Sequence, residues 1–116
     1  GRMSYPLEGL LIREYSKNIN DGIDFTAQAG TKVVAADTGL VATVTEDINQ
    51  IAIIVLKHPG NILTVYANLT NINVSTNQNV NRGDILGEIP NGNPPYLHFE
   101  IREGFESVDP LEYLNN

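Results

Sequence analysis

Tyr96-Leu97-His98-Phe99-Glu100-Ile101-Arg102 carries the clearest two-residue period in the chain. Side chains along a strand alternate between faces, so Leu97, Phe99 and Ile101 share an apolar face, and Tyr96, His98, Glu100 and Arg102 share the other. The first face belongs in a core. The second is a polar stripe fit to line a groove. Similar alternating or clustered apolar runs give candidate strands at 10–15, 22–26, 32–35, 40–46, 51–58, 62–69, 84–89 and 97–102. Between them stand turn formers: Ala29-Gly30, Thr38-Gly39, Pro59-Gly60-Asn61, Arg82-Gly83 and Asn91-Gly92-Asn93-Pro94-Pro95. Only 108–114 reads as helical, a short turn led by Asp109-Pro110. The pattern predicts a compact all-β domain and argues against an α/β fold.

In Ile62-Leu63-Thr64-Val65-Tyr66-Ala67-Asn68-Leu69, alternation groups Ile62, Thr64, Tyr66 and Asn68 on one mixed polar face. That face is expected to meet the stripe of 96–102 across one sheet. Asn is abundant from Asn68 to Asn81, and neither solenoid repeats nor low-complexity tracts occur.

At 116 residues the chain has the size of one domain. Its formal charge is −7 and its pI near 4.6, which disfavours nucleic acid and anionic membrane surfaces as partners. There are no cysteines to report a redox compartment. No run approaches the ~18 apolar residues that span a bilayer. The opening Gly1-Arg2-Met3-Ser4 reads as a remnant, so residues 1–6 are assigned as a linker and 7–116 as the domain. The missing targeting segment therefore does not imply a cytoplasmic protein.

Several blocks stand in the order of one family. They are Gly22-Ile23-Asp24-Phe25; Gly30-Thr31-Lys32-Val33-Val34-Ala35-Ala36 with Gly39-Leu40-Val41; Ile54-Val55-Leu56-Lys57-His58 with Leu63-Thr64-Val65-Tyr66-Ala67-Asn68-Leu69; Val80-Asn81-Arg82-Gly83-Asp84-Ile85-Leu86-Gly87; Leu97-His98-Phe99-Glu100-Ile101-Arg102; and Val108-Asp109-Pro110-Leu111-Glu112-Tyr113-Leu114. Together they cover most of the chain from Gly9 onward and resemble the LytM, or lysostaphin-type, zinc endopeptidase domain. The resemblance implies a barrel-sandwich (duplicated hybrid motif) fold with a short C-terminal helical turn.

In active members, the resemblance implies zinc held by the His and Asp of an H-x-x-x-D segment and by the second His of an H-x-H strand. The first His of H-x-H and another ending the central hairpin assist the attacking water. A catalytic zinc needs three protein ligands and an open position. Here the first segment is Asn20-Asp21-Gly22-Ile23-Asp24, so Asp24 stands but Asn20 replaces histidine. Asn68 occupies the hairpin position, Tyr96 the first of H-x-H, and only His98 remains. The chain has two histidines, and the other, His58, lies outside the motif. An amide oxygen is a weak ligand for zinc. The expectation is a domain without metal, cofactor or catalytic residues, since an Asn cannot accept a proton and Tyr does so poorly at neutral pH.

Simpler readings stand beside these. Asn20 serves as a turn residue, Asp24 as a cap, His98 as a hydrogen-bonded groove residue, His58 as a structural strand end, and Tyr96 as an amphipathic strand starter.

Non-catalytic domains of the NlpD-like and EnvC-like branches are implied to activate cell-wall amidases in the Gram-negative envelope. The likeness of Asn-x-Gly-Ile-Asp and Leu-His-Phe-Glu-Ile-Arg favours the NlpD-like side. The reading is thus an amidase activator of wall remodelling and cell division, placed in the periplasm or cell envelope. Asn20, Asp24, Asn68, Tyr96, His98 and Glu100 line its partner-binding groove. Peptidoglycan is a further candidate partner, and membrane association would come only through an N-terminal segment absent from this sequence. The alternatives are a peptidoglycan-binding or envelope scaffold module, and a residual zinc endopeptidase with atypical ligands. Biotinyl and phosphocarrier domains of similar outline are disfavoured: the only methionine is Met3, and no paired-histidine motif occurs.

Overall fold

The computed structural model describes residues 2–115. Ten short strands form two sheets: β1 (Leu10–Arg13), β2 (Ile23–Thr26), β3 (Lys32–Val34), β4 (Gly39–Glu46), β5 (Ala52–His58), β6 (Ile62–Leu69), β7 (Asn79–Val80), β8 (Ile85–Glu88), β9 (Tyr96–Glu103) and β10 (Glu106–Val108). The larger sheet is 8-stranded, ordered β1-β2-β9-β6-β5-β4-β7, with β10 also on β9; β3 and β8 make the second. Every pairing between these strands is antiparallel. The expected strands all form, within a residue or two of their bounds. The pairs Asn79-Val80 and the 106–108 segment were too short to register as periodic runs.

The core lies between the sheets. Leu97, Phe99 and Ile101 of β9 are fully buried with Ile23, Ile54, Leu56 and Tyr66, and Val33 and Leu86 from the small sheet join the same cluster. Burying one such side chain stabilises by roughly 1.5–3 kcal/mol. The expected helical turn is a single 3-10 turn, Pro110–Glu112, which the Asp109 carboxylate caps by accepting from the Leu111 N–H.

Residues 2–6, assigned as a linker from sequence, are instead packed into the domain. Met3 is buried in the core and bridges in parallel to Leu114, and the Ser4 N–H donates to the Ala36 carbonyl. An apolar side chain at position 3 gains burial there that a solvated leader would lack.

The face assignment in β6 also needs correcting. Thr64 and Tyr66 point inward and are fully buried. Asn68 escapes their face because of a bulge: Ala52 pairs with Leu69 and Ile53 with Ala67, leaving Asn68 unmatched at φ 71°. Asn tolerates this left-handed conformation better than most residues. Asn71 and Asn77 also have positive φ, which gives the Asn-rich stretch a conformational role.

Candidate functional site

Gly22 leads into β2 against the back of β9, where a Cβ would lie 2.3 Å from the Phe99 carbonyl oxygen. Only glycine allows that approach. Two residues on, Asp24 pairs with His98, and His98 pairs in turn with Ala67 of β6. The row continues through Ile53 of β5 to Thr45 of β4. Residues directly opposite on adjacent strands share a face, so these side chains line one surface of the sheet.

His98 is gripped from both sides. Its Nδ1 lies 2.6 Å from Asp24 Oδ1 and its Nε2 lies 2.8 Å from Glu100 Oε2. Each ring nitrogen therefore has a carboxylate oxygen within hydrogen-bond distance, an arrangement that favours the protonated ring. The hydrogen bond with Glu100 raises the His98 pKa, burial lowers it, and Asp24 raises it again; the balance is upward. Burial pushes the Glu100 carboxyl up, but its bonds to His98 and Arg102 and their charges outweigh this, and it ends lowered. Arg102 closes the chain, its Nε donating to Glu100 Oε1 at 2.9 Å while its Nη2 lies 3.5 Å from Asp21.

The stripe read from sequence does share a face, but its members do different things. A cavity of about 550 Å³ opens beside His98, and Asn68 and Tyr96 form its near wall. The Asn68 amide donates to the Tyr96 carbonyl at 2.8 Å, and Tyr96 is 37% exposed. Asp24 and Glu100 are absent from the lining and act as braces for the imidazole. Asn20 does not reach the cavity: it is 5% exposed, its amide donates to the Glu14 carbonyl, and its backbone closes a turn on Ser16. The turn reading of Asn20 fits this geometry, because a buried amide needs partners and finds them locally.

The tip of the β4–β5 hairpin, with Glu46, Asp47 and Ile51, also lines the cavity, and Ile53 continues the row of Ala67 and His98. Sequence reading did not include the hairpin. Alternation in β5 sets Ile53 opposite the core residues Ala52 and Ile54, which marks it as outward-facing; which residues share its surface depends on the β5–β6–β9 pairing.

His58, as expected of a strand end, is structural. It is buried, with Nδ1 donating to the Thr38 carbonyl and Nε2 at 2.8 Å from Thr64 Oγ1.

Zinc does not fit this donor set. Of the three protein ligands required, Asp24 and His98 are bonded to each other, and the Asn20 amide is committed to Glu14. A histidine ligates only through an unprotonated nitrogen, and both nitrogens of His98 face carboxylates.

The model of the Peptidase family M23 matches residues 18–110. The chain belongs to peptidase family M23. Among M23 relatives, it is 31% identical over 119 residues to the Lipoprotein NlpD/LppB homolog of Pseudomonas aeruginosa, covering 98% of this chain and 40% of that protein. It is 30% identical over 115 residues to the Murein hydrolase activator NlpD of Escherichia coli, covering 95% and 30% respectively. This M23 domain therefore spans less than half the length of these curated relatives. Helicobacter pylori Csd3 shares its fold, with a TM-score of 0.88 at 19% identity over 99% of this chain and 35% of Csd3. The LytM-type, NlpD-like character and the all-β lysostaphin-like fold expected from the sequence blocks agree with these findings.

Proposed function

We propose that this M23 domain is non-catalytic and activates a peptidoglycan amidase by binding it through the groove beside His98, in the periplasm or cell envelope. The observation that carries the reading is the double carboxylate grip on His98. Both ring nitrogens are engaged by carboxylates rather than open to a metal or a substrate proton, in a site where Asn68 and Tyr96 offer no replacement base. The groove is then a surface for recognition. The relatives named as a murein hydrolase activator and a lipoprotein support both the activity and the location.

The test is dye release from labelled sacculi by a panel of cell-wall amidases, with and without the protein. Stimulation of one amidase is expected, and Tyr96→Ala and Asn68→Ala should each weaken it. Sacculi solubilised by the protein alone, or stimulation untouched by both variants, would overturn the reading.

A further inference from the structure

The groove has a chemical bias that its residues state directly. Its floor and walls offer apolar surface: Ile53 is 43% exposed, Tyr96 is 37% exposed, and Ala67 and Ile51 line the same cavity. Ile48, 98% exposed, stands at the tip of the same hairpin. The lip is acidic. Neither Glu46 nor Asp47 has a Lys or Arg within ion-pair distance among the described residues. No Lys or Arg lines the cavity, and the whole chain carries −7.

From this charge complementarity we infer that the occupant of the groove is a basic amphipathic peptide segment. One or two aliphatic side chains rest on Ile53 and Tyr96, and a Lys or Arg reaches Glu46 and Asp47. The inference rests on the proposed function in one respect only, that the segment belongs to the activated amidase. Opposite charges at a lip speed encounter and reject anionic competitors. An acidic or anionic ligand would meet two unneutralised carboxylates.

Glu46 is the residue to change, because Asp47 also accepts from the Asn49 and Ile51 N–H groups and holds the turn. The control is Glu112→Lys, which alters net charge equally on the exposed C-terminal turn. The probe is a short fluorescein-labelled peptide bearing Leu and Lys on opposite faces, with a twin carrying Glu for every Lys. Fluorescence anisotropy should show the Lys peptide binding and the Glu twin not. Glu46→Lys should weaken binding about tenfold while Glu112→Lys leaves it unchanged.

Absence of binding by the Lys peptide, binding of the Glu twin, or equal loss in both variants overturns the inference. Displacement of the Lys peptide by soluble peptidoglycan fragments does so too, since the groove would then hold wall material. Dye release with the same variants separates the two claims. If no amidase is stimulated while the Lys peptide binds as described, the activator reading fails and the groove chemistry stands. If stimulation persists undiminished in Glu46→Lys, the groove chemistry fails and the activator reading stands.

Discussion

Asp24 and His98 face each other across the β2–β9 register, with Oδ1 and Nδ1 only 2.6 Å apart. In a zinc site these two side chains would hold a common ion; here they hold one another. Glu100 takes the far nitrogen, so the three side chains form a small brace under the groove.

The brace makes stability depend on pH in a defined direction. His98 has a raised pKa in the folded protein, so its contribution is fully present below the unfolded value of ~6.5 and is lost as pH rises through the folded value. Glu100 has a lowered pKa, so its contribution is present above an unfolded value of ~4.3 and disappears as pH falls through the folded one. Urea midpoints should therefore fall on the alkaline side of neutrality, and His98→Gln should remove most of that decline. An NMR titration placing His98 at or below the ordinary imidazole value would contradict this.

Zinc affinity should respond to the missing ligand. The protein as it stands is expected to bind zinc weakly in calorimetric titration. Asn20→His restores the histidine of the family's H-x-x-x-D pattern with Asp24, and should raise the affinity at least roughly tenfold. The substitution also breaks the bond to the Glu14 carbonyl, so a circular-dichroism melt must accompany it. Equal, tight binding by both proteins would show that ligands outside this set hold the metal.

Much of this was legible in the residues. The alternation of 96–102 placed Leu97, Phe99 and Ile101 in the core and the polar stripe on one face, because a two-residue period is a property of the local backbone. Asn68 was assigned to the site for the wrong reason: its strand mates Thr64 and Tyr66 are buried, and a bulge that leaves no mark on hydrophobic periodicity turns Asn68 outward. Asn20 shows the converse. Motif position put it in the groove, while the compact turn from Ser16 buries its amide. The contribution of 46–53 was out of reach because its place in the sheet relative to β9 is set by long-range pairing through β5 and β6, which spacing along the chain does not encode.

The bulge gives a separable prediction. At φ 71°, Asn68 sits where most L-residues lose about 1–2 kcal/mol. Asn68→Val should lower stability by that amount, whereas Asn68→Gly should retain the backbone and remove only the amide bonded to Tyr96. If Asn68→Gly keeps its melting temperature yet stimulates an amidase poorly, the side chain itself contacts the partner. A Val variant as stable as the parent would mean that the bulge relaxes.

Beneath the sheet, Tyr66 ties the small buried polar group to the core. Its hydroxyl accepts from the Ala36 N–H at 2.9 Å and lies 2.9 Å from Thr64 Oγ1, which in turn meets His58. Burial, only partly offset by these bonds, pushes the phenol up to about 12. Tyr66→Phe keeps the ring packed on Phe99 but strands the Ala36 N–H in an apolar interior. A buried donor left without its partner costs about 1–3 kcal/mol, so urea denaturation should register a loss of that order. The loss should appear without change in the His98 titration, because Tyr66 and His98 lie on opposite faces of the large sheet. A His98 shift in this variant would show that the core strain reaches the groove.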